Sequence, residues 1–120
     1  MKYLVTDDSK MARRMVIKLL KELIKDGDEI LEASNGQEAI DIYKTDKPDL
    51  CFMDLTMPII DGFEATKQIV QFDKDAKIVV ITADIQEGAK DRALKNGARA
   101  FVKKPINETK MKQMIRSAGW

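Results

Sequence analysis

Apolar and polar positions alternate along the chain in short blocks of two kinds. Tyr3-Leu4-Val5-Thr6 is a β-prone run that ends in two adjacent carboxylates, Asp7 and Asp8. Met11, Met15, Ile17, Leu19, Leu20, Leu23 and Ile24 then recur at helical spacing. They predict a helix over about 10–25 behind Ser9 as N-cap. Asp26-Gly27-Asp28 breaks it, and residues 29–33 read as a second strand. Asn35-Gly36 turns the chain into a helix over about 38–45, with Ala39, Ile40 and Tyr43 inward. Leu50-Cys51-Phe52-Met53 is too short for a helix and follows Pro48-Asp49, so it reads as a buried strand. Asp54 comes directly after it, and Met57-Pro58 and Asp61-Gly62 mark a loop.

Phe63, Ile69, Val70 and Phe72 predict a helix over about 63–72. Residues 77–82 are the most strand-like: Ile78-Val79-Val80-Ile81 is apolar throughout, as expected where both sheet faces are covered. That strand ends in Thr82-Ala83-Asp84. A helix over about 86–96 stops at Asn96-Gly97, a C-cap signal. Residues 98–102 form a fifth strand, followed by Lys103-Lys104-Pro105. Asn107 caps a last helix over about 108–117, with Met111, Met114 and Ile115 inward. Strands alternating with helices predict an α/β fold, a doubly wound, five-stranded parallel sheet with helices on both faces. No linker or repeat interrupts the pattern. Residues 1–120 are expected to form one domain, with no room for a second after the fifth helix.

In a parallel sheet all strand C-termini share one edge, where ligands bind in open α/β folds. That edge collects Asp7 and Asp8 after the first strand, Asp54 after the third, Thr82 after the fourth and Lys104 after the fifth. The second strand adds no comparable group. Taken singly, each has an ordinary reading: a charge pair at a helix start, a strand-ending aspartate, a solvated lysine. Together, three carboxylates repel one another and call for a cation. Mg²⁺ suits them, because it takes one or two carboxylates and keeps its other positions for water and phosphate oxygens. Lys104 supplies a point charge for a phosphate oxygen and Thr82 a hydroxyl donor. A carboxylate nucleophile, a metal, a cation and a hydroxyl are the parts of a phosphoryl-transfer site.

Composition narrows the choice. With 21 basic and 20 acidic residues the net charge is +1, which gives no case for nucleic-acid binding. The chain has no His, so the usual proton shuttle and zinc ligand are missing. Its one Cys, Cys51, lies inside an apolar strand and reads as a core residue in a reducing compartment. No stretch approaches a membrane span, and the N-terminus runs straight into a strand without a signal peptide. A cytoplasmic location is expected.

The pair Asp7-Asp8, Asp54 with Met57-Pro58 and Asp61-Gly62, Thr82-Ala83 and Lys104-Pro105 resembles the signature of response-regulator receiver domains. The resemblance covers the whole chain and is greatest to the single-domain, chemotaxis CheY-type members. It implies a flavodoxin-like strand order 2-1-3-4-5. It implies that Asp54 accepts a phosphoryl group from a phosphohistidine on a sensor histidine kinase. Asp8 and Asp54 would ligate Mg²⁺ with the Thr56 backbone carbonyl, and Asp7 would act through a metal-bound water. Lys104 and Thr82 would bind phosphoryl oxygens. Phe101 matches an aromatic that rotates inward when Thr82 moves, the two being expected at the ends of adjacent strands. Many family members have Tyr there.

The function expected is a stand-alone two-component switch in chemotaxis signalling. It catalyses only its own phosphorylation and dephosphorylation. The partners are a kinase and a downstream target protein, with the flagellar motor switch a candidate and a phosphatase another. No nucleic acid or membrane is expected, and the state is monomeric. From Gln86 onward nine basic and three acidic residues give +6, against −5 before it, so an acidic or amphipathic partner peptide would suit the last two helices and the strand between. A solvated lysine-rich surface explains the same charges. A phosphorelay intermediate stays open, as do a Mg²⁺-dependent phosphohydrolase and a receiver parted from a DNA-binding domain. The hydrolase would have little chain for a substrate-selecting cap.

Overall fold

The computed structural model describes residues 1–83 and 87–117. Among them five strands alternate with five helices: β1 (Lys2–Thr6), α1 (Lys10–Lys21), β2 (Glu29–Ala33), α2 (Gly36–Asp46), β3 (Leu50–Met53), α3 (Gly62–Phe72), β4 (Ile78–Thr82), α4 (Ala89–Lys95), β5 (Ala100–Lys103) and α5 (Glu108–Ser117). The strands make one parallel sheet in the order β2-β1-β3-β4-β5. The order 2-1-3-4-5 is thus as expected, and so is the α/β class.

Alternate strand residues point to opposite faces, and each face builds its own core. Leu4, Cys51, Met53, Ile78 and Val80 pack with Ala39, Ile40 and Tyr43 of α2, Ala65 and Ile69 of α3 and Ala93 of α4. Tyr3, Val5, Leu50, Phe52, Val79 and Ile81 pack with Val16 and Leu20 of α1 and with Met111 and Met114 of α5. Every residue of β3 and β4 is buried, which is why those strands are apolar without alternation. Cys51 is fully buried, as a core residue should be, and burial pushes its thiol up to about 12.

Helix starts follow side-chain chemistry. Ser9, Asn35 and Asp61 accept from the backbone N–H groups of Ala12, Glu38 and Glu64, satisfying donors that a helix leaves open at its first turn. Asn107 likewise accepts from Lys110 N–H. Asn96 is the C-cap of α4, and Gly97 follows at φ +109°.

The expected end of the first helix shifts. Helix α1 ends at Lys21, not near residue 25. Leu23 and Ile24 both donate to Leu20 O, a turn that keeps these two side chains against the core after the helix has stopped. Within α1, Met11 and Met15 face solvent at 75 % and 55 % exposure, whereas Val16 and Leu20 are buried. Two apolar stripes run side by side there, and only one faces the sheet. The expected start of the fourth helix at Gln86, like Asp84 at the preceding strand end, lies outside the described residues. The described helix runs from Ala89 behind Gly88.

Candidate functional site

The parallel ladder aims the ends of β1 and β3 at one place. Asp7 N–H donates to Ala33 O at 3.1 Å and Asp54 N–H to Thr6 O at 3.0 Å. Both aspartates are therefore held by the last rungs of the sheet and both are buried, at 4 % and 7 % exposure. Asp8 follows Asp7 and is exposed. Carboxylate oxygens of Asp7, Asp8 and Asp54 lie within 4.8 Å of one another.

The loop after β3 is pinned on both sides of its turn. Gly62 N–H donates to Leu55 O at 2.9 Å, and Gly36 N–H to Ile60 O at 3.0 Å. A Cβ on Gly62 would sit 2.0 Å from Asp54 O, so only glycine lets the start of α3 lie against the phosphoacceptor candidate's backbone. Thr56 lies in this loop, two residues past Asp54, and is exposed. Ile59 sits at its outer tip at φ +69° with 78 % exposure, a strained setting for a β-branched residue.

Strand β5 delivers the cation. Lys104 N–H donates to Thr82 O at 2.8 Å, and the Lys104–Pro105 peptide is cis. Lys104 Nζ then reaches Asp7 Oδ2 at 2.8 Å and Asp54 Oδ1 at 3.5 Å. Burial lowers the affinity of Lys104 for its proton, but the two carboxylates outweigh it and leave the pKa raised. The Asp54 pKa is raised as well, which here disfavours the charged form. Burial foremost, then the charge of Asp7, pushes it up to about 6, although Lys104 pulls it down. One internal cation therefore does not balance the buried negative charge. Oxygen ligands on three carboxylates, one of them exposed and open to solvent, fit a hard divalent ion such as Mg²⁺.

Thr82 ends β4 and is buried at 1 % exposure. Phe101 is partly buried on the α2–α3–α4 face of the sheet. It pairs with Val80, while Thr82 pairs with Lys103. Phe101 thus lies inside β5, level with Val80 and two residues back from Thr82 on the same face, and not at the strand's end as expected. Beside Lys104, Ala12, Met15, Val16, Ala83, Pro105 and Ile106 line an apolar hollow of about 380 Å³.

The second strand adds no carboxylate to the cluster, but it contributes through Arg13. Glu32, on β2, accepts from Arg13 Nε at 3.1 Å, and Arg13 Nη1 donates to Asp7 O at 2.7 Å. Sequence reading missed both residues. A signal existed in the basic residue one turn beyond a capping Ser that itself follows the acidic pair.

Comparison with known proteins agrees with this geometry. The family description "Response regulator receiver domain" matches residues 3–116. The chemotaxis protein CheY of Halobacterium salinarum is 39 % identical over 112 residues, 93 % of this chain and 91 % of that protein. Among solved structures, the response regulator protein TrrA of Thermotoga maritima, in complex with Mg²⁺ and BeF, is 32 % identical with a TM-score of 0.84, covering 98 % of this chain and 97 % of that one. The CheX-CheY-BeF₃-Mg complex from Borrelia burgdorferi is 29 % identical, with a TM-score of 0.85 and coverage of 97 % and 87 %. Acidic pair, buried aspartate, strand-end threonine and lysine fall on one sheet edge of a 2-1-3-4-5 fold, and sequence and structure point to the same family: the chain belongs to the response-regulator receiver domain family.

Proposed function

We propose that residues 1–120 act as one stand-alone receiver that Asp54 phosphorylation switches, in chemotaxis signalling. The observation that carries this is the buried Asp54 between Lys104 and the carboxylates of Asp7 and Asp8. Asp54 attacks the phosphorus of a phosphohistidine on a sensor kinase. A P–O bond to Asp54 forms, the P–N bond breaks, and its electron pair leaves on the donor imidazole. Asp8, Asp54 and the Thr56 backbone carbonyl would hold Mg²⁺, with Asp7 acting through water. The ion would neutralise charge on the phosphoryl oxygens.

The chain's own groups do the rest. Lys104 exchanges its carboxylate partners for a phosphoryl oxygen, and the Thr82 hydroxyl donates to another. Phosphorylation adds about −1.5 to −2 charge at pH 7. Movement of Thr82 toward it frees space on the face it shares with Phe101, which turns inward. That rearrangement biases the surface of α4, β5 and α5. The +6 charge from residue 86 onward suits an acidic or amphipathic target peptide, with the flagellar motor switch as a candidate. The protein turns over its own phosphoryl group and no other substrate.

The test is acetyl phosphate with Mg²⁺, followed by intact-mass analysis. The expected result is one phosphoryl group, labile to hydroxylamine, in the parent protein and none in Asp54→Asn. Labelling of Asp54→Asn at the parent rate would remove Asp54 from the role.

A further inference from the structure

Each polar atom of Asp7 has a partner. Its N–H donates to Ala33 O. Its Oδ1 accepts from Ser9 N–H at 2.9 Å and its Oδ2 from Lys104 Nζ at 2.8 Å. Its carbonyl accepts from Arg13 Nη1 at 2.7 Å. Asp8 is the opposite case. It is exposed, and its side chain makes no hydrogen bond or ion pair among the described residues. Where its carboxylate stands is therefore decided by its backbone.

Two peptide groups flank Asp8. The one before it is tethered at its carbonyl by Arg13, and the one after it at its N–H by the Asp7 carboxylate. Of these two tethers only Arg13 comes from outside the turn. Arg13 is itself fixed. Its side chain is 14 % exposed, and its Nε is engaged by Glu32 on the edge strand. A planar guanidinium can serve two acceptors at set angles, which a compact ammonium cannot.

We propose that Arg13 is a positioning residue for the metal site: Glu32 orients its guanidinium, the guanidinium holds the Asp7 carbonyl, and Asp8 thereby presents its oxygens to a divalent cation. This rests on the reading of Asp8 as a metal ligand. Arg13 touches neither the ion nor the phosphoryl group. Groups that orient a ligand in this way typically contribute about 10- to 100-fold in metal affinity.

Charge alone predicts the reverse. Removing a cation beside three carboxylates should tighten Mg²⁺ binding, so the sign of the change separates the two effects. The experiment is Mg²⁺ titration of the unphosphorylated protein, followed by amide shifts near residues 8 and 54–57. The proteins are the parent, Asp8→Asn, Arg13→Met, and Arg14→Met, which removes an exposed neighbouring charge as the control. Arg13→Met is expected to bind about tenfold more weakly, and Arg14→Met as tightly as the parent or more so. If Arg13→Met does not fold, Arg13→Gln carries the same sign test. Binding equal to or tighter than the parent in a folded Arg13 variant overturns the proposal. A parent that binds no Mg²⁺, or an Asp8→Asn protein that binds as the parent does, overturns the underlying ligand assignment instead.

Discussion

The two halves of the site edge are built differently. On one side β3 and β4 are buried at every position, and α1, α2 and α3 each begin with a side-chain cap. On the other, none of the four residues of β5 is fully buried. Helix α4 has seven residues, and Gly88, its N-cap at φ +85°, has no side chain to offer. Besides the buried Ala89 and Ala93, its polar attachments to α3 meet at Phe63: the Arg92 guanidinium lies 4.1 Å from the ring centroid, and Asn96 Nδ2 donates to Phe63 O at 3.1 Å. The carboxylates thus sit on the half that resists change. The surface proposed to signal includes β5, whose side chains are only partly buried, and the short α4. The proposed function needs that division. A reacting atom must stay in place while a recognition face moves.

The largest expected effect sets core against edge. Phe52→Ala, in β3, should cost about 3–5 kcal/mol in urea unfolding, whereas Val102→Ala, in partly buried β5, should cost about 1 kcal/mol. Equal costs would erase the comparison.

The second concerns the buried charge of Asp54, and is measured without metal. The folded pKa of about 6 exceeds the ordinary 3.8. The fold therefore holds the proton more tightly than the unfolded chain does, and protonation favours the fold. This contribution is fully present below about pH 4 and is lost as pH rises past about 6. It amounts to about 3 kcal/mol at most. Parent stability minus that of Asp54→Asn should fall by up to that amount across the window. A flat difference would mean that Asp54 is not electrostatically strained.

The third sharpens the link between the halves. Thr82→Ala should still take up beryllofluoride with Mg²⁺, because Asp54 and the acidic pair remain. It should lose about 1.5–3 kcal/mol of the response, the size of a charge-assisted hydrogen bond. Hydrogen exchange in α4 and β5, with and without beryllofluoride, reads this out. An undiminished response would mean that the signal bypasses Thr82. The smallest effect belongs to Arg92→Ala. It should speed amide exchange in α4 by an amount equivalent to about 0.5–1 kcal/mol, with Asp54 labelling unchanged.

The buried strands were easy to read because Leu50–Met53 and Ile78–Ile81 are apolar on both faces. The helix starts were legible in Ser9, Asn35 and Asn107, whose side chains act locally. The convergence of Asp7, Asp8, Asp54, Thr82 and Lys104 followed from strand alternation alone. What stayed hidden was whatever depended on three-dimensional partners. Met11 and Met15 have the spacing of a buried stripe, yet spacing cannot say which of two neighbouring stripes meets the sheet. Glu32 and Arg13 are 19 positions apart. Their pairing exists because β2 lies next to β1, against which α1 packs. Phe101 was expected at the end of its strand, but β5 runs on to Lys103, because strand ends cannot be fixed from composition.

The ion pair between Lys104 and Asp7 joins positions 97 apart. Ribosomes deliver chains N-terminus first. Asp7, Asp8 and Asp54 all emerge before the lysine that tempers them, and Met111 and Met114, fully buried beneath the sheet's second face, come later still. An unfinished chain carries all three acids but neither the internal cation nor a closed core. Stalled or truncated synthesis therefore leaves those carboxylates without the lysine that tempers them. Cation and second core are both in place only when translation has passed α5.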